Sequence, residues 1–337
     1  MHGVFYPESM PRKSPLVIGH RGAPGYRPEH SRSSYELALA MGVDAVEPDV
    51  VASKDGVLVI RHENEISGTT DVADRPEFAG RRTTKRIDGQ PLTGWFTEDF
   101  TWQELSTLRV RERLPEVRAT SASFDDAQPI LRLTDLLDLV RAGSVEHGRE
   151  IGIVLEVKHA TYFAGIGLDL APLIARDLRA AGWADGELPL VIEAFESTVL
   201  GQLRAEGIAA SYIYLIEASG QPYDQVAALG AHAKSYKSVV RPKGLDALVG
   251  SVDGISVNKR MLLAPGNTIV DDAHARGLKV FTWTARPENA FLAAEFRGDG
   301  PRSAFGDYEG EWSVIAGTGV DGVFVDHPDL GVAFFRN

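Results

Sequence analysis

The chain has 337 residues, 44% of them hydrophobic, enough for one large domain or two small ones. Its 35 lysines and arginines stand against 47 acidic residues, and a net charge of −12 argues against general binding to a nucleic-acid backbone. Cysteine is absent, which excludes a disulfide framework, a thiolate metal site and a cysteine nucleophile.

Residues 1–15 read as an N-terminal extension, without a basic segment followed by an apolar one, and no stretch approaches 18 apolar residues. The expectation is a protein without stable membrane insertion, cytoplasmic as written, or exported to a periplasm if a signal peptide was removed. Short β-branched runs then recur at 16–20, 45–50, 151–158, 190–195, 211–216, 254–258, 278–284 and 321–326. A ninth, 57–62, follows Ser53-Lys54-Asp55-Gly56 too closely for a crossover helix and reads as the returning arm of a hairpin. Helix signals lie between the runs: 33–41 stopping at Gly42, 134–142 stopping at Gly143, and 269–276 stopping at Gly277. Eight strands alternating with helices predict a (β/α)8 TIM barrel, formed by residues 16–62 and 129–337. A doubly wound sheet is the alternative, weakened by the lack of a glycine-rich dinucleotide fingerprint.

Residues 63–128 break the alternation and read as an insertion after the second-strand hairpin, over the active-site face. It holds one clear helix start, the capping box Thr101-Trp102-Gln103-Glu104, and a basic run, 81–86, that reads as a solvated loop. The insertion is expected to act as a substrate-shaping lid, or else only to stiffen the rim.

Chemistry-bearing residues collect where barrel strands end. Glu47 and Asp49 are two apart, so one strand face carries both, and folding the hairpin about Asp55–Gly56 sets Asp49 opposite His62. His20 and Arg21 end the first strand, and Glu156 and Lys158 end the third. Glu47, Asp49 and Glu156 offer an oxygen-only set that suits one hard divalent cation, calcium or magnesium, rather than zinc. The alternative is a buried ion-pair network with Arg21 and Lys158. His20 and His62 are the acid–base candidates, and Arg21 and Lys158 suit a phosphate. Trp283 either walls the pocket or fills the barrel. Asp326 either supports the site or caps a loop, and Glu29 is placed to orient Arg21 or a histidine. His232, His274 and His327 have no comparable neighbours, and His274 reads as a surface residue.

In this order, His20-Arg21-Gly22, Pro28-Glu29-His30, Glu47-Pro48-Asp49, Lys54-Asp55-Gly56, His62 and Glu156-Val157-Lys158 resemble the glycerophosphodiester phosphodiesterases. Segment 129–134 resembles that family's return to the barrel, and 321–328 its closing strand. The resemblance covers about residues 16–330. Two features depart from the pattern: Glu63 follows His62 where aspartate is usual, and Gly68 stands where an arginine often precedes Thr69-Thr70. The long insertion and Pro-Glu-His are similar to the periplasmic, calcium-dependent branch, which favours calcium. The resemblance implies metal-dependent hydrolysis of a small-molecule glycerophosphodiester to an alcohol and sn-glycerol 3-phosphate. Within that reading one histidine is the base and the other the acid; His20 is taken as base and His62 as acid, and the sequence leaves the reverse direction open. Rival readings are a lysophospholipase D-like activity on lysolipids, a non-catalytic barrel binding phosphorylated ligands, and a metal-dependent sugar isomerase or aldolase.

Overall fold

The structure, a computed structural model, describes residues 14–336, so most of the extension expected at 1–15 lies outside the described residues. In chain order the strands are β1 (Leu16–His20), β2 (Ala45–Glu47), β3 (Asp49–Ala52), β4 (Leu58–Ile60), β5 (Thr83–Ile87), β6 (Gln90–Gly94), β7 (Gly152–Val157), β8 (Leu190–Ala194), β9 (Ser211–Ile216), β10 (Gly254–Asn258), β11 (Lys279–Ala285) and β12 (Gly322–Val325). β2 and β3 are one barrel strand interrupted at Pro48, which has no N–H to give a ladder. Both halves pair in parallel with β7, and the register (Ala45 with Gly152, Asp49 with Glu156) runs unbroken across the proline. From β7 the ring proceeds through β8, β9, β10, β11, β12 and β1 back to β2. With that strand counted once, eight parallel strands close the expected (β/α)8 barrel, and β4 lies outside it, antiparallel to β3.

Side chains alternate along a strand, so every second residue points into the lumen. Ile18, Ala45, Val154, Val191, Ile213, Phe281 and Phe324 pack there as one apolar cluster. Two residues further along the same strands stand His20, Glu47, Glu156, Glu193, Leu215, Trp283 and Asp326. An apolar floor with a largely polar layer above it follows from strand period alone. Outside the barrel, helices pack on the other strand faces to form the larger core.

Two of the expected helices form as read. Arg32–Ala40 is capped by Ser31, whose hydroxyl accepts from the Ser34 N–H, and Gly42 follows at φ 90°. Ile269–His274 is followed by Gly277 at φ 73°. The third differs, because Leu133–Glu146 runs straight through Gly143 and ends before Gly148 at φ 61°. Gly143 answers a packing need: a Cβ there would lie 2.8 Å from Leu39 Cδ1 on the Arg32–Ala40 helix.

The hairpin register differs by one from the sequence expectation. Val50 faces Ile60, so Arg61, not His62, stands opposite Asp49, and its N–H donates to the Asp49 carbonyl at 3.1 Å. Gly56, at φ 72°, is the cause: it adds a left-handed residue to the turn, a bulge that a mirror-image fold about Asp55–Gly56 leaves out. The chain later returns beside this hairpin, where the Ile60 N–H donates to the Leu131 carbonyl at 2.9 Å.

Between β4 and that return, Ile66, Trp95, Phe100, Leu105 and Val110 are buried in the same core as the barrel helices. The expected capping box forms at Thr101 and starts the one-turn helix Trp102–Leu105. The basic run is exposed at Arg82, Thr83, Thr84 and Arg86, as expected, but it is not a loop. From Thr83 onward it enters β5, hairpinned to β6. Lys85 donates to Glu98 at 2.9 Å and Asp99 at 2.7 Å, and Arg81 pairs with Glu104, whereas Arg82 lies over the Trp95 ring and Arg86 donates to the Gly89 carbonyl. Among the described residues no helix is long and apolar enough to cross a membrane.

Replacing Gly143 with valine drives a branched side chain into Leu39, and the expected loss of stability is about 1–3 kcal/mol. Urea denaturation measures this directly, and an unchanged midpoint would show that the two helices have room to spare.

Candidate active site

Above the apolar floor is a cavity of about 540 Å³, lined by His20, Arg21, Glu47, His62, Glu156, Lys158 and Trp283 among others. Asp49 sits behind this wall, fully buried. All eight residues selected from the sequence therefore meet at one place. One oxygen each from Glu47, Asp49 and Glu156 fall within 4.8 Å of one another.

The trio is unequally compensated. Asp49 Oδ2 takes a hydrogen bond from His30 at 2.9 Å and lies 3.4 Å from Arg21 Nε, while its Oδ1 lies 3.4 Å from Lys158 Nζ. Against the cost of burial, the charges of Lys158 and His62 and these contacts hold its carboxyl well below the usual range. Glu47 is pushed well above that range by burial and by the Asp49 charge. Burial likewise lifts Glu156 to about 8, although Lys158 donates to it at 2.7 Å. Glu47 Oε1 and Asp49 Oδ1 are buried without a hydrogen-bond partner. An all-oxygen cluster with unpartnered acceptors fits a hard divalent cation, and Glu47, Asp49 and Glu156 are the residues that would hold it.

Each candidate acid–base histidine is fixed through Nδ1 by a carboxylate, which leaves Nε2 for chemistry. His20 Nδ1 meets Asp326 Oδ1 at 2.6 Å, and His62 Nδ1 meets Glu63. Burial, reinforced by Arg21, lowers His20 to about 4 and His62 to about 3. Asp326 is held in turn by Arg118 and Arg286, each at 2.6 Å, so it supports the site as one of its two sequence readings had it. Glu29 accepts from Arg21 Nη1 at 2.9 Å, as expected. Arg113 spans Glu29 at 2.6 Å and Glu63 at 2.7 Å, tying the partners of Arg21 and His62 together. Trp283 both lines the cavity and packs edge-on against Phe195 at 5.6 Å.

Several residues here were not singled out from the sequence. Glu193 is buried, lines the cavity and pairs in register with Glu156. A lone carboxylate two residues beyond the floor residue Val191 was its signal. His30 donates to Asp49 and accepts from the Tyr35 hydroxyl at 2.7 Å, and burial lowers it to about 4, so it is neutral there. It was visible within Pro-Glu-His but carried no assigned role. Arg113 and Arg118 lie in a stretch without periodicity and gave no local sign of their destination. His274 is exposed, as read, and pairs with Asp321 at 2.9 Å, and His232 is exposed as well. His327 packs between the Tyr26 and Phe305 rings.

Comparison with known proteins agrees with this geometry. A glycerophosphodiester phosphodiesterase of Arabidopsis thaliana is 30% identical over 337 aligned residues, covering 93% of this chain and 83% of that protein. One of Haemophilus influenzae is 24% identical, covering 95% of this chain and 90% of the relative. The fold is shared with an Oleispira antarctica phosphodiesterase solved with the product sn-glycerol-3-phosphate, at 20% identity and a TM-score of 0.62 over 96% of this chain and 98% of that one. With residues 20–330 matching its sequence pattern, the chain belongs to the glycerophosphoryl diester phosphodiesterase family.

Proposed function

We propose that the protein hydrolyses glycerophosphodiesters to an alcohol and sn-glycerol 3-phosphate, with a divalent cation held by Glu47, Asp49 and Glu156. The observation that carries this reading is the buried carboxylate trio flanked by Arg21, Lys158 and two carboxylate-held histidines. Sugar isomerisation needs no such pair of fixed cations, whereas a phosphodiester anion does. The product bound to the Oleispira antarctica enzyme supports the same products here.

When bound, the cation supplies Lewis acidity and a template for phosphate oxygens. Arg21 and Lys158 stabilise the charge that grows on the phosphoryl oxygens. His20, kept neutral by burial and by the neighbouring Arg21, takes the proton of the attacking hydroxyl, from water or from the adjacent glycerol hydroxyl. His62 delivers a proton to the departing alcohol as its P–O bond breaks. Burial above all, and then Arg21 and Lys158, oppose the charged form it needs, while Asp49 and Glu63 favour it. Those two cations are the ones a bound phosphate engages, so substrate relieves their share of the opposition. If the glycerol hydroxyl attacks first, water opens the cyclic phosphate with the histidines in reversed roles. Calcium is the cation we favour, since it accepts several protein carboxylates at flexible geometry, whereas magnesium retains water and uses one or two.

Glycerophosphocholine and glycerophosphoethanolamine are expected to release glycerol 3-phosphate, with EDTA abolishing release and calcium restoring it best. No release with any cation would overturn the assignment. Alanine at His20 or at His62 is expected to lower kcat about 10²–10⁴-fold. A p-nitrophenyl leaving group needs no proton, so it should rescue His62→Ala and not His20→Ala. Rescue of both or of neither would remove the assigned direction.

The trio also links cation, pH and stability. With Glu156 lifted from 4.5 to about 8, the folded metal-free protein keeps a proton that the unfolded chain has given up. That contribution is full below about pH 4.5 and is lost as pH rises towards 8. Cation binding needs the ionised form, so calcium should raise Tm more at pH 8 than at pH 6. Equal shifts at both pH values, measured by calorimetry, would show that Glu156 is already ionised.

A further inference from the structure

The phosphate-binding corner opens two ways. A second cleft of about 530 Å³ adjoins the barrel cavity, and Glu156, Lys158 and Phe195 line both. A phosphodiester is itself two arms joined at phosphorus, so two cavities meeting at Lys158 match its shape. The barrel arm offers acceptors and an amide: Glu193, whose Oε2 is buried without a partner, and Glu217, which accepts from Asn258 at 2.9 Å. Such groups suit the hydroxyls of glycerol.

The second cleft has a different chemistry. Phe195, Tyr223 and Tyr236 give it an aromatic side. Tyr236 is buried, its hydroxyl donates to the Phe195 carbonyl at 3.0 Å, and the two rings meet edge-on at 6.2 Å, so this wall is held in place. Asp88 and Glu196 give it an acidic side. Glu196 is 4% exposed and accepts from the Thr161 N–H at 3.1 Å. Asp88 comes from the tip of the β5–β6 hairpin. Its Oδ2 meets His159 Nδ1 at 2.6 Å, while its Oδ1 is buried with no hydrogen-bond partner. Of the permanent charges lining the cleft, Lys158 is engaged by Glu156 at 2.7 Å, which leaves Asp88 and Glu196 without a permanent cation among those residues. Aromatic faces with nearby carboxylates are the surroundings that an alkylammonium group prefers over water.

We propose that this second cleft is the alcohol-side subsite and selects a cationic head group, an ammonium or quaternary ammonium alcohol. The inference rests on reading the adjoining site as a glycerophosphodiester hydrolase. It gives the segment between β4 and β7 a role in specificity, through Asp88.

Two measurements test it separately from that reading. In the first, the ratio of kcat/KM for glycerophosphocholine to that for glycerophosphoglycerol is compared in wild type, Asp88→Asn and Glu196→Gln. The choline diester should be preferred by wild type, and the ratio should fall about tenfold in either variant, mainly through KM. A ratio unchanged by both substitutions overturns the proposal. In the second, choline and its neutral isostere 3,3-dimethylbutanol are titrated into the whole protein and followed by NMR. Choline should bind about tenfold more tightly, and the double variant should erase the difference. Equal binding of the two by wild type overturns the proposal even if diesters are hydrolysed. Choline selectivity without hydrolysis of any diester would uphold the cleft and sink the reaction assigned to its neighbour.

Discussion

Three carboxylates held within 4.8 Å of one another in a barrel lumen set the terms for the rest of this molecule. Removing a carboxylate from water costs several kcal/mol unless other groups compensate it. Here compensation is concentrated on Asp49, which has Lys158, Arg21 and His30 around it. Glu47 and Glu156 are pushed toward the neutral form by burial and by the charge on Asp49. Lys158 cannot serve all three, and a further cationic side chain would fill the space that substrate needs. A dication compensates the trio at little volume, which is why the cluster reads as a binding site and not as a folding device.

The positive groups are arranged around that deficit in shells. Each candidate acid–base histidine rests on a carboxylate, and each of those carboxylates rests on arginine: Asp326 on Arg118 and Arg286, Glu63 on Arg113. Against burial, Arg286 and Arg118 keep Asp326 ionised, and His62 together with Arg113 keeps Glu63 so; both act as acceptors that orient Nδ1–H and leave Nε2 to the cavity. Arg113 and Arg118 come from the stretch between β4 and β7. That stretch is therefore chemically joined to the site, through residues nearly a hundred positions from His20 in sequence.

The barrel and its eight central residues were legible because strand period and motif order are local properties. His20, Glu47, Glu156 and Trp283 each stand two residues beyond an apolar floor residue, and the same parity would have picked out Glu193. Two errors came from glycine, which serves more than one purpose. At Gly143 it admits a neighbouring helix instead of ending its own, and at Gly56 it adds a residue to a turn and shifts the register by one. The basic run was misread as a loop because its strand pairing, and the carboxylates Glu98, Asp99 and Glu104 that meet Lys85 and Arg81, are set by the fold around the β5–β6 hairpin. Arg113 and Arg118 were out of reach for a related reason: ion pairs across 84 and 208 residues leave no mark on the residues beside them.

His20-Arg21-Gly22 shows how a short motif can be under several independent constraints. Arg21 adopts φ 57°, a left-handed conformation that costs a non-glycine residue about 1–2 kcal/mol. Glycine would relieve that strain, but it would remove the guanidinium beside Glu29 and Asp49. The Arg21 N–H is held as well, donating to Glu47 Oε2 at 2.8 Å. Gly22 is fixed from the opposite side: at φ 92°, any Cβ would lie 2.5 Å from the Ser34 hydroxyl. Charge dictates one residue against its backbone preference, and space dictates the next whatever its chemistry. A loop satisfying both, directly after a histidine whose Nδ1 is held by a distant aspartate, has few other sequences open to it.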